Sequence, residues 1–370
     1  MRILIDNQIL MLQEYGGVSR YFFQISKRLN KQEDAEVCIP AVYSCNAYFD
    51  DPGYLRRKYS RNFLTQLWYC GVNLFVTAVF LLRHDIQIYH PTFFRPYLFG
   101  FLKKRTKVVV TVHDMIFELF PGELPGADKV IRWKKACIER ADHIIAVSEW
   151  TKRDLLRFYP EIPEERISVI HHGPPEEGKC RPLKGIPDRY VLFVGKRAAY
   201  KNFSVLCEAM NLLMKEDPAL HLVCAGGGVF SESETAMMEY GGRFFQSDCS
   251  DEELSYAYQH AACFVFPSRY EGFGLPVLEA FVNKCPVILS ETGCFPEIAG
   301  DAALYFDPDS SEDLADKIRK MLSPEVARMY IERGLSRVKA FSWDKACEAT
   351  HAVYASLVGQ GQMEQAYGLR

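Results

Sequence analysis

Phe266-Pro267-Ser268-Arg269-Tyr270-Glu271-Gly272-Phe273-Gly274-Leu275-Pro276-Val277-Leu278-Glu279-Ala280 is the stretch that decides the fold. It reads as the end of an apolar strand, a loop with two glycines, and a helix with Pro276 at its first position, where a missing N–H costs nothing. The loop glycines admit positive φ and let backbone approach a ligand closely. The N–H groups near Phe273, Gly274 and Leu275 point outward with the positive end of the helix dipole, so a diphosphate fits there. Glu271 lies in the loop and Glu279 one turn further in, and the two carboxylates flank one helix start. A carboxylate can accept both hydroxyls of a vicinal diol, each a charge-assisted bond of roughly 1.5–3 kcal/mol. One would suit a ribose and the other a sugar ring. The competing reading is that Glu279 offsets the dipole and Glu271 is a solvated loop charge.

Working outward, β-branched runs alternate with helical patterns along the whole chain. Arg2–Asp6, Val37–Val42, Ile86–His90, Lys107–Val112, His143–Val147 and Ile167–Ile170 read as strands separated by amphipathic segments. A stretch rich in Gly, Pro and charge follows, from His172-Gly173-Pro174-Pro175 through Gly178 to Pro187, and reads as a linker. The pattern then restarts with Tyr190–Gly195, Leu220–Ala225, Ala262–Pro267, Pro286–Ser290 and Ala303–Phe306, with helices near Asn202–Lys215, Asp251–Ala261 and Pro276–Lys284. From Ser310 to about Leu357 the chain reads as helical. The order implies an α/β protein with two doubly wound parallel sheets. The expected domains are 1–180, joined by a returning helix at about 343–370, and 181–342. Ligands of such sheets bind at the carboxyl ends of the strands, so two of them would face a common cleft.

Other candidate residues follow strand ends. Val194-Gly195-Lys196-Arg197-Ala198-Ala199-Tyr200-Lys201-Asn202 places three cations in six residues, suited to a departing diphosphate; a solvated basic turn is the alternative. His113-Asp114 follows Lys107–Val112, where a satisfied core histidine is the usual reading. Glu14-Tyr15-Gly16-Gly17-Val18-Ser19 precedes an amphipathic helix, and a Gly-Gly pair there is more often a turn than a ligand contact.

With 370 residues, 48% of them hydrophobic, the chain is long enough for two cores. A net charge of -3 provides no global field for nucleic acid. Twelve cysteines stand singly without a C-x-x-C pair and read as reduced core residues. Met1-Arg2-Ile3-Leu4-Ile5-Asp6 reaches charge too soon for a signal peptide, which favours a cytoplasmic address. Leu67–Leu82 is nearly all apolar and follows Arg56, Arg57, Lys58 and Arg61. It is shorter than the ~20 residues of a spanning helix, so a buried helix is the favoured reading and a lipid-touching surface the alternative. Tyr89–Tyr97, aromatic and basic, would line an acceptor site or simply pack after a strand. His171-His172 lacks a third ligand and reads as linker. Asp307-Pro308-Asp309 has metal-binding lettering but a turn setting.

These segments resemble the family 4 glycosyltransferases over nearly the whole chain. The resemblance is most specific at Glu271 and Glu279, the family's E-x7-E signature, and extends to Gly16-Gly17-Val18, His113-Asp114, Val147-Ser148-Glu149, Pro296-Glu297-x-x-Gly300-Asp301-Ala302-Ala303 and Phe341-Ser342-Trp343. It implies the GT-B architecture, two Rossmann-like domains, with 181–342 binding the nucleotide sugar and 1–180 on the acceptor side. It also implies retention of anomeric configuration and no metal or other cofactor. Residue by residue, Glu279 would bind the donor ribose and Glu271 the transferred sugar. Phe273, Gly274 and Leu275 would offer N–H groups, Arg197 and Lys201 would hold the diphosphate, His113 would contact the sugar, and Gly16 and Gly17 would lie near the phosphates. The family often carries Arg where Lys196 stands, which leaves Lys196 and Arg197 as alternatives for one cation. His172-Gly173 replaces the usual Asn-Gly. The expected activity is transfer of a hexose, mannose among the candidates, to a glycan or lipid-linked acceptor in surface-polysaccharide synthesis, with membrane contact near Arg56 to Leu82. A nucleotide-sugar epimerase of the same fold and a noncatalytic two-lobed binding protein are the alternatives.

Overall fold

The computed structural model describes residues 1–49, 57–58, 63–176 and 180–366, without the side chains of 57–58, 63–64 and 360–366. Arg56, Arg61 and Gly178 lie outside the described residues. The chain divides into two compact units, Met1–His172 with Trp343–Arg370, and Gly173–Ser342.

The first unit carries β1 (Arg2–Ile5), β2 (Glu36–Cys38), β3 (Tyr43–Ser44), β4 (Arg57–Lys58), β5 (Ile88–His90), β6 (Lys107–Val112), β7 (His143–Ala146) and β8 (Ile167–Val169). Six of them form one sheet in the order β2-β1-β5-β6-β7-β8, and β3 pairs with β4 apart from it. Every pairing is parallel. In β6 all six positions are buried, the signature of a strand covered on both faces. Even Lys107 is buried there, with its Nζ 3.6 Å from Asp142.

The second unit carries β9 (Tyr190–Val194), β10 (His221–Ala225), β11 (Phe244–Ser247), β12 (Cys263–Phe266), β13 (Val287–Ser290) and β14 (Ala303–Phe306), all parallel in the order β11-β10-β9-β12-β13-β14. The sequence reading has five strands here and misses β11. Only Phe244 of that edge strand is buried, so no apolar run marks it. The helical tail is three helices, Ser311–Met321, Pro324–Arg337 and Trp343–Ala366.

The helix Trp343–Ala366 packs on the helix Gly17–Leu29 of the first unit. Arg28 Nε meets Asp344 at 2.7 Å, and the Tyr354 hydroxyl lies 2.5 Å from His90 Nδ1. His90 Nε2 is 2.9 Å from Thr111 Oγ1, which also bonds the Tyr21 hydroxyl at 3.1 Å. His172 is not an open linker residue: it is buried, stacked on Trp343 at 5.4 Å between ring centres and tilted against Tyr21 and His113. Its polarity hid this, because aromatic packing leaves no periodic signal in a single residue.

The apolar helix is the largest correction. It runs Phe63–Arg83 and is buried along one stripe only; Leu67, Trp68, Leu74, Phe75 and Leu82 are exposed, Phe75 by 68%. By length and composition, Thr65–Arg83 is apolar enough to cross a membrane, with 22% of that stretch buried. Its buried stripe is part polar, with Ala78 and Leu81 beside two polar residues. The inward stripe contains Asn73 and Thr77, both fully buried. Asn73 Oδ1 accepts from the N–H groups of Val42 (2.9 Å) and Tyr43 (3.1 Å), and its Nδ2 donates to Tyr43 O at 2.8 Å. Asn7 Nδ2 donates to Thr77 Oγ1 at 2.7 Å. The Asn73 bonds satisfy the backbone groups of Val42 and Tyr43 where the chain enters β3, and Thr77 Oγ1 donates to Pro40 O at 3.0 Å just before it.

Burial pushes His90 and His113 down to about 3 from the ordinary 6.5, His113 aided by the Lys134 charge, and holds His172 well below 6.5 with help from His113. The unfolded chain therefore binds protons below about pH 6.5 that the folded unit refuses, so stability falls as pH drops through that window. Urea unfolding between pH 7 and 4 should show this loss, and His90→Gln should reduce the slope by about one proton; an unchanged slope contradicts neutral burial. Asn73→Leu should lower the unfolding free energy by about 2–4 kcal/mol by orphaning two N–H groups. Phe75→Gln, on the exposed face, should stay within about 0.5 kcal/mol of the parent.

Candidate functional site

In the second unit the chain runs outward from β9 through β10 to β11, then returns to the other side of β9 at β12. Strand order reverses between β9 and β12, and ligands of open parallel sheets bind beyond the carboxyl ends of the strands at such a point. Gly195–Lys201 leaves β9 there and Pro267–Gly274 leaves β12.

The structure joins the two loops. Arg269 N–H donates to Tyr200 O at 2.8 Å, and Lys201 Nζ sits 2.5 Å from Glu271 Oε1. Both side chains of that pair are about seven-eighths covered, at 14% and 13% exposure. Asn202, at a left-handed φ of 56°, ends the turn, and its Nδ2 donates to Pro308 O at 2.7 Å. Lys196 is exposed in the same turn.

Arg197 turns away from the other cations. Its side chain is 3% exposed, with Nε 2.7 Å from Glu234 Oε1. Its terminal nitrogens donate to the carbonyls of Gly226 (3.1 Å), Gly228 (2.8 Å) and Val229 (3.0 Å), and the guanidinium lies 4.7 Å from the Phe230 ring centre. This run of Gly226, Gly227 and Gly228, all at positive φ, follows β10. A Cβ at Gly227 would sit 2.6 Å from Arg197 Nη1, so the glycine permits the close approach. Arg197 is thus placed in the wall of the site as a loop fastener.

Gly274, φ 90°, caps the helix Leu275–Val282, and a Cβ there would press on the Phe295 ring at 3.3 Å. Phe273 is buried beneath the loop. Glu279 is buried in a helix covered on all sides, with Val277, Leu278, Ala280 and Phe281 buried around it. Its Oε2 accepts from the Tyr258 hydroxyl at 3.3 Å. The carboxylate is thus nearly covered and oriented by the Tyr258 hydroxyl rather than solvated at random.

The sequence reading missed three supports. Ser290 Oγ donates to Ser268 O, and Thr292 Oγ1 reaches the same carbonyl at 3.3 Å, so the loop after β13 fastens the loop after β12. Tyr258 approaches Glu279 from a helix 21 residues earlier, a separation with no motif. The Gly226-Gly227-Gly228 run was visible and points to positive φ, but only the fold reveals Arg197 as its occupant. Asp307-Pro308-Asp309 forms a turn in which Asp309 pairs with Arg269 at 2.6 Å. Among the described residues no group of three or more His, Cys, Asp or Glu is placed to hold a metal.

Gly16, Gly17 and His113 belong to the first unit. Gly16 is extended and caps the helix Gly17–Leu29; a Cβ there would overlap the Gln13 carboxamide, whose Oε1 accepts the Ser19 N–H at 3.3 Å. His113, at the end of β6, packs edge-on to Tyr21 at 5.0 Å, and its Nε2 is buried without a hydrogen-bond partner. An orphaned ring nitrogen calls for a ligand hydroxyl or an equivalent group. Asp114 instead caps the following turn, accepting from Ile116 N–H, while its carbonyl accepts from Lys134 at 3.0 Å. Lys134, fully buried, pairs with Glu118 at 2.7 Å, a pair no sequence pattern announced.

Comparison with known proteins follows the same division. The family Glycosyltransferase Family 4 matches residues 15–177, and Glycosyl transferases group 1 matches 181–336. O-antigen chain mannosyltransferase B of Escherichia coli is 30% identical over 291 residues, covering 73% of this chain and 74% of the relative. Sucrose-phosphate synthase from Thermosynechococcus elongatus superposes with a TM-score of 0.74 at 20% identity, over 97% of this chain and 99% of the other. HepE from Anabaena, solved with UDP and glucose, gives a TM-score of 0.71 at 15% identity, over 96% and 100%. Two parallel six-stranded α/β units with an E-x7-E run at a strand-order switch, and these likenesses, establish that the chain belongs to the family 4 glycosyltransferases of GT-B fold.

Proposed function

We propose that the chain transfers a hexose, mannose first among the candidates, from a nucleotide-diphosphate sugar to a growing polysaccharide with retention of configuration. The name of the Escherichia coli relative, an O-antigen chain mannosyltransferase, supports the mannose and the polysaccharide expected from the sequence. The observation that carries the reading is the Lys201–Glu271 pair, held at 2.5 Å over the switch point of the second unit. A sugar diphosphate offers each partner a counterpart: hydroxyls for Glu271 and phosphate oxygens for Lys201. Glu279 then takes the ribose diol, and the N–H groups of Phe273, Gly274 and Leu275 take the sugar and phosphates. The exposed Lys196 joins Lys201 on the diphosphate in the place first offered to Arg197, whose donors hold the glycine loop. His113, neutral at working pH, meets a sugar hydroxyl at Nε2, and Gly16 and Gly17 allow backbone to approach the phosphates.

The bond between the anomeric carbon and the diphosphate breaks, the acceptor hydroxyl bonds the same face, and its proton passes to the leaving phosphate oxygen. Lys196 and Lys201 stabilise the charge that develops there. We assign this task to the lysines rather than to a metal. The acceptor is a glycan or a lipid-linked glycan, and the address is the cytoplasm. All twelve cysteines are free, Cys180 exposed among them, which suits a reducing compartment.

Thermal shift and product formation with UDP-, GDP- and ADP-sugars under chelator test the reading. One nucleotide sugar should stabilise the protein with EDTA present, and Glu279→Ala should abolish that shift. Lys201→Met should lower kcat by about 10²–10³ with a small change in KM, whereas Arg197→Met should lower the melting temperature and donor affinity together. Transfer that stops with EDTA and returns with Mn²⁺ would remove the metal-free mechanism. A rearranged donor without transfer would replace the transferase by an epimerase.

A further inference from the structure

The first unit has its own strand-order switch, between β1 and β5, from which the chain runs to β2 on one side and to β6–β8 on the other. A cavity of about 120 Å³ lies beside the segments that leave these two strands. Asn7, Gln8 and Met11 come from the segment after β1, Arg95, Tyr97 and Leu98 from the segment after β5, and Cys70, Gly71 and Leu74 from the helix Phe63–Arg83. Its size approaches that of cavities that take a benzene-sized ring, roughly 150 Å³.

The lining has two characters. Met11, Leu74, Tyr97 and Leu98 are apolar. Arg95 brings a guanidinium that lies 5.8 Å from the Trp133 ring centre and interacts with Cys70, while its Nε is buried without a hydrogen-bond partner. The backbone of Arg95 is fixed, its N–H donating to Gln8 Oε1 and its carbonyl accepting from Gln8 Nε2, both at 3.1 Å. Gln8 is held in turn by the buried Asp6.

Outside the cavity the exposed apolar side chains are concentrated. Of the eleven large hydrophobic residues exposed among the described residues, seven lie on the helix or the neighbouring turn: Leu67, Trp68, Leu74, Phe75, Leu82, Tyr97 and Phe101. Asn73 and Thr77 are pinned inside the unit, so this helix cannot leave it to span a bilayer. It offers its apolar face sideways, the geometry of an interfacial helix. At its carboxyl end Arg83 and Lys104 are exposed, and Arg105 pairs with Asp85. This basic rim matches anionic headgroups.

We propose that this cavity seats the lipid-proximal end of the acceptor, a molecule in which a phosphate joins a hydrocarbon chain to the glycan, presented at an anionic membrane surface. Arg95 meets the phosphate, Met11, Leu74, Tyr97 and Leu98 hold the first carbons of the chain, and the exposed helix face enters the headgroup layer. The proposal rests on the transferase reading above.

The test is titration of the full chain with farnesyl phosphate, farnesol and inorganic phosphate, followed by flotation with vesicles of phosphatidylglycerol and phosphatidylcholine. Farnesyl phosphate should saturate a single site, with farnesol and phosphate each weaker by about tenfold or more. Arg95→Gln should weaken farnesyl phosphate to the level of farnesol. Gly71→Leu provides a variant independent of charge: a Cβ at Gly71 meets nothing within 4 Å, so the fold tolerates it while the longer side chain fills the cavity mouth. The protein should float with the vesicles, and Leu67→Gln with Trp68→Gln and Phe75→Gln should release it. Equal binding of farnesyl phosphate and farnesol, inorganic phosphate that competes on equal terms, Gly71→Leu that binds like the parent, or failure to float overturns the proposal. The nucleotide-sugar thermal shift of the parent protein reports separately on the transferase reading. Farnesyl phosphate binding without that shift sinks the reading and leaves the cavity assignment; the reverse result sinks the cavity assignment alone.

Discussion

Parallel pairing within each sheet is the constraint from which the other features follow. When every strand runs the same way, every connection must cross over the sheet, and all loops that follow strands emerge at one edge. The second unit exploits this at β9, β12 and β13, whose following loops meet and are stapled by side chain to backbone bonds from Ser290 and Thr292 to Ser268, with Arg269 N–H on Tyr200 O. Each staple satisfies a carbonyl that a ladder would otherwise have to satisfy. The result is a set of irregular loops held by the rigid core of the sheet beneath them.

Two cations four residues apart in one turn have opposite fates, and the reason is their shape. The planar guanidinium of Arg197 presents several donors at once and fits a curl of carbonyls at Gly226, Gly228 and Val229. Lys201 has a single flexible ammonium and settles on one carboxylate. In the transfer proposed above, a phosphate takes over the lysine by exchanging one charged partner for another. Taking over the arginine would cost the whole loop its fastening. Desolvation nearly balances attraction in such largely covered pairs, so Lys201–Glu271 is better understood as an exchangeable contact than as a source of stability.

The legible parts of this protein were those where adjacent residues share one environment. Strand β6, Lys107-Val108-Val109-Val110-Thr111-Val112, is buried along its length and reads as such. The loop from Pro267 to Pro276 carries Gly274 where a left-handed φ of 90° demands it and Pro276 in the first turn of the helix, where its missing N–H costs nothing. The illegible parts mix or isolate the usual signals. The helix Phe63–Arg83 hides Asn73 and Thr77 and shows Leu67 and Phe75, so average apolarity misread its direction. His172 is a single polar letter inside an aromatic cluster, and β11 is an edge strand with one buried side chain.

The sequence by itself determined the α/β class, the alternation that yields two parallel sheets, the family, and the spacing of Glu271 and Glu279, because these depend on local periodicity and on glycine and proline geometry. Only the tertiary structure decided which cation faces Glu271, that Tyr258 approaches Glu279, that His113 keeps a buried nitrogen without a partner, and which face of the apolar helix points outward. Those outcomes depend on residues brought together across tens to hundreds of positions. Hydrogen-bond satisfaction and burial choose among side chains there, and neither leaves a mark in the order of neighbouring letters.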